Sequence, residues 1–193
     1  MVATNDYFFT ISREMFERNR HHPGKKQEQS DIDKTHTPQA IIQCKELFTS
    51  KMEGFGDAAP CLEMTTSSER MVPNDSSGQL SGDGHVSLQD VIVCMKYGSW
   101  GPKIQAAVIE GHKLGSIEVK RFITLHKEIV IIQETTFWSC SMKKYTQDGD
   151  LIVFAFSFVR GEDTNIHYDE KGQKQGVTSM EFDTASLKVN TKG

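Results

Sequence analysis

The sequence predicts a mostly β fold, a β-barrel of two packed antiparallel sheets with one short flanking α-helix. Runs of alternating apolar residues recur from residue 85 onwards, as is typical of strands. Helical spacing of apolar residues is confined to one short segment, residues 103–110. Two long polar segments, at about 17–37 and 50–84, read as loops. The chain has 193 residues, 37% hydrophobic and 25% charged, which favours a single globular domain over residues 1–193.

Residues 151–159 give the clearest strand pattern in the chain. Every second side chain is large and apolar, at Ile152, Phe154, Phe156 and Phe158. The opposite face is also mildly apolar. A strand that is apolar on both faces fits a barrel wall with an outer packing partner, either the helix or a neighbouring subunit. We therefore predict that an interface between copies includes Leu151, Val153 and Ala155.

The remaining elements follow from shorter patterns. Aromatic and β-branched residues predict a strand over residues 7–12, and residues 40–48 fit a strand or a helix. Pro102 suits the start of the helix and Gly111 its end. Asp148-Gly149-Asp150 indicates a turn. Further strands are predicted over residues 85–95, 116–125 and 128–138, with a short strand at 61–65 and a final hairpin over 165–169 and 177–189.

The long segment 50–84 carries three methionines, Met52, Met64 and Met71. Methionine side chains adapt to irregular surfaces, so the segment can supply one of the two complementary faces that a closed ring needs. Scattered loop methionines without a role are the alternative. The segment ends in three more candidate interface residues, Gly82, Asp83 and Gly84.

The charge pattern and the apolar runs limit the partners. The net charge of −4 comes from interspersed acidic and basic residues, which predicts no nucleic-acid partner. The first residues lack the basic and apolar regions of a secretory signal peptide, and the longest apolar runs are too short to cross a bilayer. We therefore expect synthesis in the cytoplasm, no membrane insertion, and any export by a route that reads no signal peptide.

No established catalytic motif occurs, and no cofactor or metal is predicted. The four cysteines match no zinc pattern and are expected to be small buried side chains without disulfide bonds. Two chemical sites stay open as minor hypotheses. One is a metal site with the candidate ligands His21, His22, Glu17 and Glu28. The other is a thiol nucleophile with a base, formed by Cys140 with His112 or His126.

The segments from residue 84 onwards follow a recognisable order. A strand entry, Gly84-His85-Val86-Ser87-Leu88-Gln89-Asp90, is followed by Lys96-Tyr97 and by the helical segment 102–111 with its AAVIEG ending. Residues 117–124 (IEVKRFIT), two further strands and the closing segment 176–190 come next, and Asp33-Lys34-Thr35-His36 precedes an upstream strand. Taken in order, these segments resemble the haemolysin-coregulated protein (Hcp) family of type VI secretion tube proteins over most of the chain.

The resemblance implies a β-barrel with one flanking helix. It implies homohexameric rings with a wide channel that stack into a tube, with a spike protein, a contractile sheath and effector proteins as partners. Neither a cofactor nor catalysis is implied. A protein of this kind assembles in the bacterial cytoplasm and is then secreted to the outside of the cell.

Two other functions remain open. One is a β-barrel module that binds a ligand or a partner without tube assembly. A strict monomer with a deep pocket would favour this function. The other is a secreted effector enzyme that uses Cys140, which would lose its activity on Cys140→Ala. A six-fold ring would favour the tube subunit over both.

Overall fold

The computed structural model describes residues 7–20, 40–49, 51–52, 55–71, 85–126, 128–184 and 188–192. These ranges form two helices, α1 (Tyr7–Arg20) and α2 (Gly101–Ile109). The strands before α2 are β1 (Ala40–Gln43), β2 (Lys51–Met52), β3 (Phe55–Gly56), β4 (Ala58–Pro60), β5 (Glu63–Thr65), β6 (Ser68–Met71), β7 (His85–Leu88) and β8 (Val91–Lys96). The strands after α2 are β9 (Lys113–Leu125), β10 (Glu128–Asp148), β11 (Leu151–Ser157), β12 (Arg160–Tyr168), β13 (Lys174–Asp183) and β14 (Lys188–Lys192).

Seven strands of the main sheet form a continuous series of antiparallel pairs, here called the circuit. It leads from β5 through β8, β11, β10, β9 and β1 to β4. β4 and β5 are consecutive in the chain, and the corner between them joins the two ends of the circuit. There the Cys61 amide donates to the Ala40 carbonyl of β1, and the Leu62 amide donates to the Cys94 carbonyl of β8, both at 3.0 Å. Among the described strands β4 and β5 do not pair with each other, so the sheet is not closed by a ladder at this corner, and the predicted mostly β, antiparallel fold is confirmed.

The interior of the circuit is the main apolar core. Ile152, Phe154 and Phe156 of β11 are fully buried in it, together with Phe137 of β10. The period-two pattern predicted for this strand is confirmed. In β9, Ile117 and Val119 also point into this core, whereas Ile123, further along the strand, is exposed.

The second helix, α2, covers one end of this core. Ile104 and Ala107 are buried against it. The helix ends at Gly111, which has φ 65°, and the Gly111 and His112 amides donate to the carbonyls of Val108 and Ala107. These two hydrogen bonds to the last turn form a Schellman cap, in which glycine tolerates the left-handed backbone. The predicted helix and its predicted end are confirmed.

The strand predicted over residues 7–12 is wrong, because these residues form the first half of α1. Phe8, Ile11, Met15 and Phe16 recur at helical spacing and face the sheet. The aromatic and β-branched residues of the first six positions favour a strand by propensity, but the apolar stripe is clear only over all fourteen residues. The described chain therefore has two helices rather than one, and residues 17–20 of the predicted loop are helical.

Two other predictions for the first half of the chain need correction. The segment 50–84 was expected to be a loop with one short strand at 61–65, which β5 confirms, yet its described part also contains the short strands β2, β3, β4 and β6. The strand predicted over residues 85–95 is two strands, because the Gln89 amide donates to the Ser67 carbonyl at 3.0 Å and the chain changes partner there. β7 then pairs with β6 as a separate two-stranded arm, whereas β8 joins the barrel.

β10 is the longest strand and extends ten residues past its predicted end at residue 138. It pairs with β9 and β12 in its first half and with β11 in its second half. Gly149, at φ 61°, forms the predicted turn into β11. The predicted final hairpin corresponds to β12 and β13, and β14 adds a third strand at the edge of the sheet. Within the described ranges, no helix is long and apolar enough to cross a membrane.

Candidate functional site

A concave face at the open end of the barrel, away from α2, is the candidate site. Three rows of aligned residues cross β9, β10, β12, β13 and β14, and aligned residues of neighbouring strands share a face. The innermost row is mainly apolar and consists of Ile117, Phe137, Gly161, Phe182 and Val189. The middle row consists of Val119, Thr135, Asp163, Met180 and Thr191. The outer row is polar and consists of Arg121, Gln133, Asn165 and Thr178. The face therefore changes from apolar to polar towards the open end.

Three phenylalanine rings form the floor of this cleft. The ring centroids of Phe137 and Phe158 lie 4.9 Å apart, and those of Phe158 and Phe182 lie 5.6 Å apart. Gly161 makes this packing possible, because a Cβ at that position would come within 2.3 Å of the Phe182 ring. Edge-to-face and tilted aromatic pairs of this kind hold one another in place.

Asp163 is a carboxylate held in a fixed position just above the aromatic floor. The Gln133 side-chain amide and the Thr135 hydroxyl donate to its Oδ1 at 2.8 and 2.7 Å. Among the described residues, its Oδ2 receives a longer bond, at 3.4 Å, from the Asn165 amide. Thr135 is itself buried, so this cluster keeps the carboxylate in one orientation at the side of an apolar cleft.

The walls of the cleft come from both sides of the barrel mouth. Met64 and Leu88 lie opposite Met180 and Val189, and the cleft has a volume of about 330 Å³. Met180 and Val189 are 41% and 59% exposed although their side chains are apolar. The size is at the lower end of the range of about 300–1,000 Å³ for ligand sites, and the mouth of a β-barrel is a common place for such a site. Of the predicted interface residues, Met64 therefore lines this cleft.

The predicted interface residues on the other face of β11 lie under α1. Leu151, Val153 and Ala155 are at most 3% exposed, and they pack with Ile92, Cys94 and the apolar stripe of α1. From the sequence we expect that the flanking helix over residues 103–110 or a neighbouring subunit covers this face. In the single chain it is a helix, α1, so a contact between copies at these three residues would require α1 to leave.

Polar contacts also fasten the C-terminal end of α1 to the barrel. Arg18 donates two bonds to the Glu63 carboxylate, at 2.7 and 3.4 Å, and Asn19 donates a third at 3.2 Å. Hydrogen bonding to Glu63 raises the pKa of Arg18 above its ordinary value. Arg20 pairs with Asp148 at the end of β10. Exposed pairs of this type contribute at most about 1 kcal/mol each, so the buried apolar stripe is the main attachment of the helix.

Several predicted site residues cannot be placed in a site. Met52 and Met71 belong to β2 and β6, but their side chains lie outside the described part of the structure. Gly82, Asp83, Gly84, His21, His22 and Glu28 are outside the described residues altogether. Within the described ranges, no group of three or more His, Cys, Asp or Glu side chains is placed to hold a metal ion.

The cysteines are placed as structural residues. All four are free and buried, as the sequence predicted. Burial raises the pKa of the Cys140 thiol to about 12, and its Sγ donates to the Phe137 carbonyl at 3.5 Å. A nucleophilic thiol needs a lowered pKa and access to substrate, and Cys140 has neither. The structure therefore gives no support to the hypothesis of a Cys140 nucleophile.

The strand circuit, the helix over one end and the cleft at the other define a β-barrel protein with an open, partly apolar mouth. Comparison with solved structures identifies the fold as Hcp-like. One chain, described as a type six secretion system protein, has 13% sequence identity and a TM-score of 0.68, and the match covers 80% of this chain and 100% of that chain.

Two further solved structures have the same fold. A type VI secretion system effector from Yersinia pestis has 11% identity and a TM-score of 0.57, with 75% of this chain and 99% of that chain covered. Hcp2 from Salmonella typhimurium has 10% identity and a TM-score of 0.57, with 77% and 98% covered. No protein-family model and no curated protein matches the sequence. At these identities the likeness establishes the fold of the chain.

Proposed function

We propose that the protein is a structural tube subunit of a type VI secretion system. The carrying observation is that its fold matches a type six secretion system protein over the whole of that chain, with a TM-score of 0.68. The Hcp-like order of segments in the sequence is a second, separate support. In this proposal the subunits form homohexameric rings, the rings stack into a tube, and the tube carries effector proteins. The other partners are the spike protein and the contractile sheath.

Contacts between copies are proposed at the two-stranded arms β6–β7 and β2–β3, which are separate from the main sheet. The β6–β7 arm pairs from Ser68↔Leu88 to Met71↔His85 and leads into residues 72–84. Met71 ends β6 and Met52 ends β2. Gly82, Asp83 and Gly84, the other candidates, directly precede β7 in the sequence and lie outside the described residues. A ring needs two different complementary surfaces on each subunit, and a two-stranded arm is one such surface. Leu151, Val153 and Ala155 serve this role only in a state without α1.

The proposal includes a route through the cell. The subunit is made in the bacterial cytoplasm, assembles there, and leaves through the secretion machine rather than by a signal peptide. The subunit acts as conduit and carrier and has no catalytic role. The buried, high-pKa thiol of Cys140 agrees with a structural protein.

Electron microscopy of the purified full-length chain tests this function. We expect six-fold rings with an open centre, and stacks of rings at high protein concentration. A variant in which residues 72–84 are replaced by a short Gly-Ser linker should keep the barrel fold but form fewer stacks. Isolated particles of single-chain size under all conditions would contradict the proposal.

A second candidate function is a barrel module that binds a partner without forming a tube. The observation in its favour is the cleft of about 330 Å³, with exposed apolar side chains at the barrel mouth. A monomeric protein that binds ligands in this cleft would favour this function over the tube subunit.

A further inference from the structure

The barrel mouth combines two features that together select the charge of a ligand. An aromatic floor attracts cations, because the face of each ring carries partial negative charge. The fixed Asp163 carboxylate lines the cleft together with these rings, and the bond that its Oδ2 accepts from Asn165, among the described residues, is long, at 3.4 Å. A carboxylate held in place by two other donors can accept a charge-assisted bond without a large loss of side-chain entropy.

The charges that line the cleft also favour a cationic ligand. Within the described part of the chain, the charged side chains on the inner face of the cleft are the Asp163 carboxylate and the Arg121 guanidinium; Asp183, which borders the cleft, aligns with Arg160 on the opposite face of the sheet. Arg121 belongs to the outer row, two residues further out along the strands than the row of Asp163. The inner part of the cleft is therefore acidic and aromatic, which complements an organic cation with an apolar stem.

The shape of the site indicates a side chain of another protein as its occupant. A volume of about 330 Å³ has room for a long aliphatic stem and its charged end. Val189 and Met180 extend the apolar surface towards β14, which pairs only with β13 among the described strands. The outer edge of β14, which pairs with no described strand, has backbone donors and acceptors that an extended segment can bind, as sheet edges do in many peptide complexes.

We propose that this cleft binds a lysine or arginine side chain presented by an extended segment of a partner protein. The cation lies against Asp163 above the phenylalanine floor, and an apolar neighbour of the basic residue covers Met180 and Val189. This binding site goes beyond the proposed tube function and does not depend on ring formation.

Methionine methyl signals in NMR give a direct test, because Met64 and Met180 line the cleft whereas Met15, Met95 and Met142 are buried elsewhere. The full-length protein is labelled with ¹³C at its methionine methyl groups. It is titrated with two N-acetylated, C-amidated tripeptides, Leu-Lys-Leu and Leu-Glu-Leu, and with n-hexylamine. We expect Leu-Lys-Leu to shift the Met64 and Met180 signals only, and to bind about tenfold more tightly than Leu-Glu-Leu.

Two variants of β12 complete the test. Asp163→Asn should weaken the binding of Leu-Lys-Leu about tenfold. Glu162→Gln removes the same charge from the adjacent position, on the other face of β12, and should leave the affinity unchanged. Unmoved signals of the buried methionines show that each variant is folded. Equal binding of both tripeptides, or full affinity of Asp163→Asn, would overturn the proposal. Binding of n-hexylamine as tightly as Leu-Lys-Leu would overturn the assignment to a protein segment.

Discussion

Gly161 lies opposite Phe182 in the β12–β13 ladder, and the Phe182 ring occupies the space where a side chain of Gly161 would be. The ring thereby reaches across β12 and packs edge-to-face against Phe158. The Phe182 ring links β13 to the core, because Phe158 in turn contacts the fully buried Phe137. The floor of the cleft therefore depends on the absence of one Cβ.

Gly161→Ala is expected to lower the free energy of unfolding by about 1–3 kcal/mol, the usual effect of overpacking. The new Cβ would lie 2.3 Å from the Phe182 ring and force it out of the cleft floor. Urea denaturation followed by circular dichroism measures the change. The matched control is Gly176→Ala in β13, where a Cβ would meet no atom within 4 Å and stability should stay within about 0.5 kcal/mol. Equal effects of the two substitutions would contradict this role of Gly161.

Val153→Asp is expected to destabilise the fold by on the order of 3–5 kcal/mol, because it places a charge in a dry apolar cluster. Val153 is fully buried under α1 in the single chain. Glu17→Ala, on the exposed side of α1, should change stability by less than about 0.5 kcal/mol. Thermal unfolding of dilute protein distinguishes the two sites. A Val153→Asp variant of normal stability would mean that α1 does not cover this face in solution.

The four thiols should react slowly in the native protein. Burial raises the pKa of Cys44, Cys61, Cys94 and Cys140 to about 12, so almost no thiolate is present near neutral pH. Titration with Ellman's reagent at pH 8 should give little early reaction, and four equivalents after unfolding in guanidinium chloride. Rapid labelling of Cys140 in the folded protein would revive the nucleophile hypothesis.

Stability should fall as the pH rises from about 9 to about 12. The ordinary pKa of a thiol in the unfolded chain is 9.0, and the folded value of Cys140 is raised to about 12 by burial. The neutral thiol therefore stabilises the fold below pH 9, and this stabilisation is lost as the pH rises towards the folded value. In the Cys140→Ala variant the free energy of unfolding should fall less steeply with pH in this range. The change in slope should correspond to about one proton fewer released on unfolding. An unchanged slope would mean that Cys140 titrates alike in both states.

The strands with strong local patterns could be predicted from the sequence. Phe154 and Phe156 alternate with smaller residues, and Gly111 ends a short apolar stripe, so β11 and α2 follow from local physics. The stripe of α1 was also present, at Phe8, Met15 and Phe16, but strand propensity in residues 7–12 masked it. The strand pairing changes near Ser67 and Gln89, from the main sheet to the β6–β7 arm and back. The local sequence gives no signal of this change, because it depends on which strands meet in space.

The candidate cleft could not be predicted from the sequence for a related reason. Its middle row joins Thr135, Asp163 and Met180, which lie on three strands and align only through the registers of two ladders. A shift of one residue in the β10–β12 ladder would turn Asp163 to the opposite face from Thr135, and a shift in the β12–β13 ladder would turn Met180 to the opposite face from Asp163. The one local hint is Gly161, since a glycine within a strand often marks the close approach of another group.

The mass of the protein in solution tests the central claim most directly. Sedimentation velocity over a wide range of concentrations should show a species of six chains that becomes dominant as concentration rises. Gly161→Ala, which alters the cleft floor and not the two-stranded arms, should assemble in the same way at temperatures where it is folded. A single-chain species at every concentration would contradict the tube-subunit account.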